Sequence, residues 1–216
     1  MHPEISLLPS RVFYQGKLLD GPNMDVKTSQ PWHLQDKFGP YKFFNVAGQE
    51  ESGSSHSLIN RAECQMAVAL YSRLCKEFSN LDFDFRVGVI SMYRAQIGEL
   101  KRAFVQRFGS DIVGKILFHT VDGFQGQEKD VIILSCVRAG PGVQNIGFLA
   151  GKSENQNRVL THSNTPLDTR RMNVALTRAR SSLFILGNVS TLERSNDDWR
   201  QIVQDARSRQ RMVDVS

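Results

Sequence analysis

Short apolar runs of strand length alternate in this chain with longer stretches of helical period, and this alternation constrains the fold more than any other feature. Tyr41 to Val46, Arg86 to Ile90, Lys115 to Thr120, Val131 to Val137 and Ser182 to Leu186 read as strands. Asn60 to Phe78 carries Ala62, Met66, Ala69, Leu70 and Leu74 at helical spacing, and Arg94 to Phe108, Arg171 to Arg180 and Asp197 to Arg209 read as further helices. The pattern predicts an α/β fold, a three-layer parallel sheet with helices on both faces, because parallel neighbours need crossover connections that are usually helical. Ligands of such sheets bind at the carboxyl ends of the strands. The loops after Ile90, Thr120 and Val137 are therefore the informative ones.

One domain over residues 1–216 is expected, with 40% hydrophobic and 23% charged residues, the balance of a folded, soluble protein. Two stretches lie outside the alternation. Residues 10–40 hold Asp20-Gly21-Pro22, Gln30-Pro31 and Gly39-Pro40 and read as a long irregular connection anchored by Phe13, Tyr14 and Trp32. Residues 151–168 are polar and without apolar period, which reads as an inserted loop. Two origins for that insert are open, a genuine disordered loop or a partly translated intron.

The formal charge of +5 suits a polyanionic partner without demanding one. Three cysteines without a CxxC fit a reducing, intracellular compartment, and five scattered histidines offer no metal-ligand spacing. No apolar run approaches the roughly eighteen residues of a membrane span, so no membrane partner is expected.

A phosphate-cradling loop would have a glycine-rich turn entering a helix. Gly109 to Lys115 has the GxxxxGK spacing, but Ile116 stands where a magnesium-ligating hydroxyl belongs and the segment leads into a strand. Gly147 to Ser153 has one residue too few between its glycines. Neither is a phosphate loop.

Three other segments carry polar groups suited to chemistry. In Arg170 to Arg180 a helix would bury Met172, Ala175, Leu176 and Ala179 and project Arg171 and Arg178 from one flank, roughly 10 Å apart along the axis. An arginine so held is suited to stabilising a transferring phosphoryl group, although a solvated basic face has the same pattern. Thr120 to Asp130 crowds Thr120, Asp122, Gln125, Gln127 and Glu128 around two glycines between strands, where a self-capping loop is the plainer alternative. Ser91-Met-Tyr93-Arg-Ala-Gln96 offers a hydroxyl, a ring and an arginine in one strand-to-helix turn, with simple helix capping by Ser91 as its alternative.

In this order the three segments resemble superfamily-1 helicases of the group that includes senataxin and the nonsense-mediated-decay helicase. The likeness extends over Met1 to Gly16, Val87 to Gln96, Thr120 to Ala139 and Arg170 to Gly187, and Asp20 to Asp25, Pro31 to His33 and Pro40 to Phe44 look senataxin-like in particular. The resemblance implies a second RecA-like domain, of the P-loop NTPase fold but without its P-loop. It would pair in cis with an N-terminal RecA-like domain that supplies most contacts to ATP and Mg2+. It further implies that Arg178 is the arginine finger, that Glu128, Gln125 and Arg171 line the ATP side, and that Ser91, Tyr93 and Thr120 face a single-stranded RNA or DNA.

Family members translocate 5′ to 3′, and senataxin-type members act on nascent RNA and RNA–DNA hybrids in the nucleus. By this reading the chain alone hydrolyses no ATP. Two departures stand out. The chain starts at Met1 where relatives usually continue upstream with Gln-Tyr-Arg, and Met92 replaces a usual proline. A truncated helicase half is the first expectation, ahead of a stand-alone nucleic-acid-binding module or a degenerate protein-interaction domain.

Overall fold

Strand β6, Lys129–Ser135, is central in the sheet because Val131, Ile132, Ile133 and Leu134 are all apolar and all buried, so both of its faces must be covered. A computed structural model describes residues 1–53, 57–140 and 166–215, with the side chains of 166–168 left aside. To one side of β6 lie β4 (Val87–Ser91) and then β5 (Leu117–Thr120). To the other lie β7 (Ala179–Gly187), β1 (Tyr41–Val46) and β8 (Met212–Val215). Every pairing in this six-stranded sheet is parallel, as the alternation of elements predicts. A separate antiparallel pair joins β2 (Glu51–Ser52) to β3 (Leu58–Ile59).

Successive side chains of a strand point to opposite faces, and the two faces of β6 carry two cores. Val131 and Ile133 pack with Leu70 and Leu74 of α3 (Arg61–Glu77) and with Ile97, Leu100 and Phe104 of α4 (Arg94–Phe108). Ile132 and Leu134 pack with Ile5 and Leu8 of α1 (Pro3–Phe13), Met172 and Leu176 of α6 (Pro166–Leu176), and Trp199 and Ile202 of α8 (Asp197–Ser208). Short helices α2 (Met24–Thr28), α5 (Ile112–Lys115) and α7 (Val189–Ser195) complete the described set.

Local chemistry sets the helix starts. The Asn60 side chain accepts the Glu63 N–H at 3.2 Å and opens α3, and the Asn196 side chain accepts the Trp199 N–H at 2.8 Å and opens α8, whose first turn carries Asp197 and Asp198. At the other end of α4, Gly109 takes φ 88°, a left-handed value that suits glycine.

The structure corrects three expectations. The helix expected over Arg171 to Arg180 ends at Leu176, and Ala179 already opens β7. Residues 10–40 are not wholly irregular, since α1 runs through Phe13 and is followed by α2 and two 3-10 turns, Pro31–Leu34 and Asp36–Phe38. The strand expected from Lys115 starts at Leu117, because Gly114 and Lys115 close the single turn of α5. Edge strand β8 and helix α7 are additions that periodicity does not reveal. The expected insert at 151–168 lies almost wholly outside the described residues.

Candidate functional site

The polar segments singled out from the sequence separate onto two ends of the sheet. Lys129 opens β6 in register with Ala179, which opens β7, and the Lys129 N–H donates to the Arg178 carbonyl at 3.1 Å. Glu128 and Arg178 therefore meet at the amino ends of these strands. At the carboxyl ends, Ser91 is in register with both Thr120 and Ser135. From Lys129 to Ser135 the rise of an extended chain gives a separation of about 20 Å. Of the residues expected to face ligands, Ser91, Tyr93 and Thr120 thus lie at the carboxyl ends of the strands, and Arg178 and Glu128 lie at the opposite end.

The loop from Thr120 to Glu128 links the two ends by crossing one face of the sheet. Its 3-10 turn, Asp122–Phe124, buries Phe124 completely against Gly88, where an added Cβ would stand 2.7 Å from the Phe124 Cζ. Both glycines of the loop are needed. A Cβ on Gly123 would fall 1.7 Å from the His119 ring, and Gly126 takes φ 80°. Past the anchor, Gln125, Gln127 and Glu128 are all exposed.

Arg178 lies in the turn between α6 and β7 rather than on the helix. Its Nε donates to the Val174 carbonyl at 3.0 Å and an Nη donates to the Thr177 hydroxyl at 3.0 Å, so the guanidinium caps the carboxyl end of α6. Arg171 is on α6 and its Nε donates to Asp122 at 2.7 Å, tying this helix to the 3-10 turn. The Arg171 Nη1 is buried and has no hydrogen-bond partner among the described residues. It is an unsatisfied cationic donor of the kind a phosphate or ribose oxygen would satisfy.

At the same end the His2 N–H donates to the Arg180 carbonyl at 2.8 Å, and Asp130 bridges Arg86 at 2.7 Å and Arg180 at 3.7 Å. The arrangement gathers Arg171, Arg178 and Arg180 around an exposed loop that carries two carboxylates, Asp122, which is paired with Arg171, and Glu128. It is suited to an anionic ligand.

The carboxyl end is built differently. Ser91 is fully buried, its hydroxyl donating to the Ser135 carbonyl at 2.9 Å and accepting the Tyr93 N–H at 3.3 Å. That hydroxyl is engaged within the fold, where it joins the end of β4 to β6 and to the Tyr93 backbone. Tyr93 is 8% exposed, and burial raises its phenol pKa while the neighbouring Arg138 opposes the shift. Thr120 is half-buried at the end of β5.

Beneath these residues lies a polar network that sequence reasoning missed. Glu63 is fully buried; its carboxylate accepts the Ser135 hydroxyl at 2.6 Å and the Val137 N–H at 3.0 Å on both oxygens. Burial pushes its pKa up to about 7 against the hydrogen bonds from Ser135, Val137 and Cys136. Gln96 donates to the Ser135 hydroxyl at 2.8 Å and accepts the Asn60 N–H at 2.9 Å. A signal existed: Glu63 shares a helical face with Ala67, Leu70 and Leu74, where a lone acid is out of place. Among the described residues no group of three or more His, Cys, Asp and Glu side chains is placed to hold a metal ion.

The family model that matches the chain, described as an AAA domain, covers residues 1–190. The chain is 42% identical over 212 residues to the helicase SEN1 of Saccharomyces cerevisiae, a match that covers 97% of this chain and 9% of that protein. It is 35% identical over 211 residues to the probable helicase senataxin of Homo sapiens, covering 97% of this chain and 7% of that protein. To the regulator of nonsense transcripts 1 of Caenorhabditis elegans it is 32% identical over 224 residues, covering 99% and 18%. The chain thus spans less than a fifth of each of these three relatives.

Proposed function

We propose, for a chain that belongs to the AAA domain family and to the senataxin type of superfamily-1 helicases, that it is the second RecA-like half of an ATP-driven 5′ to 3′ motor on single-stranded RNA or DNA. The observation that carries this reading is the backbone bond from Lys129 to Arg178, which sets the Glu128 loop and the Arg178 turn side by side at one end of the sheet. Two segments remote in sequence are thereby presented together, as one wall of a cleft between domains requires.

In this reading ATP lies against that wall and an N-terminal RecA-like domain in cis holds its phosphates and Mg2+. Neither GxxxxGK-like segment of this chain is suited to that task. Arg178 stabilises charge that develops on the transferring phosphoryl group, and its place in a two-residue turn between packed elements limits the entropy it has left to lose. The unsatisfied Arg171 Nη1 offers a second cationic donor, and Glu128 and Gln125 contribute exposed polar groups beside it. A single strand crosses the opposite end, against Tyr93 and Thr120, with Ser91 shaping the turn from below. RNA–DNA hybrids and a nuclear location are further parts of the proposal. Among the described residues no helix is long and apolar enough to cross a membrane.

The test joins the chain to its N-terminal RecA-like domain and compares Arg178→Ala with the parent. Nucleic-acid-stimulated ATP turnover is expected to fall by roughly 10³-fold while single-strand affinity is kept, since a finger acts mainly in the transition state. A loss below about tenfold would return Arg178 to its capping role alone.

A further inference from the structure

Val137 takes φ 71°, a left-handed value that is rare for a β-branched residue and is normally left to glycine. The Arg138 N–H donates across it to the Cys136 carbonyl at 2.8 Å, which closes a γ-turn of the strained hand directly after β6. Something must hold this conformation, and the first turn of α3 does. The Val137 N–H goes to both Glu63 oxygens at 3.0 Å, and the Val137 carbonyl accepts from the Asn60 side chain at 3.0 Å.

Glu63 is an expensive way to close a turn. Its carboxylate is fully buried on a face otherwise made of Ala67, Leu70 and Leu74, and among the described residues no salt bridge neutralises it. Donors alone keep it there. They come from Ser135 and Val137 at 3.0 Å or less and from the Asn60 amide at 3.4 Å. Burial of an unpaired charge is tolerated where every lone pair is engaged, and backbone strain persists where its surroundings over-determine it. Here the two features meet at one residue.

The turn aims the residue after it. Arg138 comes beside Tyr93 and is pinned there by Glu50, whose Oε2 accepts from the Arg138 Nε at 2.7 Å and from the Ala139 N–H at 3.1 Å. A cation is thereby delivered to the same end of the sheet as Tyr93 and Thr120.

We infer that Glu63 is a positioning residue of the single-strand-binding end: by clamping Val137 in its left-handed turn it sets Arg138 beside Tyr93 for contact with a nucleic-acid backbone. This rests on the reading that the carboxyl ends of β4 and β5 receive the strand.

The experiment uses the whole chain as Glu63→Gln, Val137→Gly and the double variant, with affinity for a fluorescent single-stranded RNA, melting temperature and backbone amide exchange as readouts. Glu63→Gln places an amide N–H2 against donors, and affinity is expected to fall roughly tenfold, with faster exchange at Val137 and Arg138. Val137→Gly alone keeps its affinity, because glycine adopts φ 71° without strain. The double variant is expected to regain most of the affinity even though Glu63 is still missing, which a merely stabilising role for Glu63 would not produce.

The inference is overturned by Glu63→Gln binding at parental affinity, by a double variant that folds without recovering, or by a double variant that does not fold. If the parent chain shows no salt-dependent binding, the functional reading fails instead. Amide exchange then decides the clamp alone, and unchanged rates at Val137 in Glu63→Gln refute it.

Discussion

The Lys129 N–H and the Arg178 carbonyl, 3.1 Å apart, form the hinge point at which the loop after β5 and the turn after α6 become neighbours. This bond uses only main-chain atoms, so it survives replacement of either side chain. What Arg178→Ala removes is the cap on α6, two hydrogen bonds at 3.0 Å to the Val174 carbonyl and the Thr177 hydroxyl. The expected cost is about 1 kcal/mol in urea denaturation. A loss above roughly 3 kcal/mol would mean that the side chain organises the turn and that any activity defect is secondary.

Gly88→Ala tests the anchor beneath the loop. The new methyl would stand 2.7 Å from the Phe124 Cζ and 2.8 Å from the Ile132 Cδ1, and a buried ring cannot yield as a flexible chain end can. Overpacking of this kind costs about 1–3 kcal/mol. Since Phe124 holds the 3-10 turn that carries Asp122, the Arg171–Asp122 pair should loosen too. Phe124→Leu in the same chain should restore part of the loss in a thermal melt. An unperturbed melting temperature in Gly88→Ala alone would show that the loop floats free of the sheet.

Most of the sheet was legible because burial on both faces writes itself into short apolar runs: Val131 to Leu134 could only be a central strand. Periodicity places Arg178 on a helix for a definite reason. Met172, Ala175, Leu176 and Ala179 keep helical spacing, and alanine suits either element, so nothing local marks the stop at Leu176. The stop is enforced by β6, through a contact between residues 129 and 178 that periodicity does not encode. Ser91 was legible as a polar residue at a strand end, yet its hydroxyl is consumed by Ser135, a partner 44 residues away. Glu63 was readable as an acid out of place on an apolar helical face, but its task was not, because its donors come from β6 and the turn beyond it.

Lys42 and Asp36 supply a third prediction. The Lys42 side chain is 1% exposed, while Asp36, whose carboxylate accepts from its ammonium at 2.8 Å, is 89% exposed. Hydrogen bonding and charge from Lys42 hold the Asp36 carboxyl below its usual pKa. Removing one partner of such a pair leaves a desolvated charge, whereas replacing the buried one by an apolar residue of similar length does not. Asp36→Ala should therefore cost about 1–3 kcal/mol and Lys42→Met less than about 1 kcal/mol by chemical denaturation. The reverse order would show that the Lys42 ammonium reaches solvent on its own.

His33 gives the chain an acid sensitivity whose sign can be worked out. Its Nδ1 accepts the Gln30 N–H at 3.2 Å, and its Nε2 lies 3.0 Å from the Ser182 hydroxyl, which also accepts the Trp32 indole N–H at 2.9 Å. The ring is thus a neutral tautomer with its proton on Nε2, a state assigned from the hydrogen-bond network. A second proton would sit on Nδ1 facing the Gln30 N–H. Burial, and then the charge of His2, whose ring centroid is 5.3 Å away, lower the His33 pKa from 6.5 to about 4. In that interval the unfolded chain binds a proton that the folded chain refuses, so this contribution to stability is complete above pH 6.5 and is lost as pH falls toward 4. Glu63, raised from 4.5 to about 7, acts in the opposite direction, its stabilising proton being lost as pH rises through that window. The two are separated by comparing the parent with His33→Gln, in which the Glu63 effect cancels. Between about pH 7 and pH 5 the parent should lose about 1–2 kcal/mol relative to the variant, measured as the difference in urea midpoints scaled by a common slope. Parallel pH profiles would mean that His33 takes its proton in place, with Gln30 turning its N–H away.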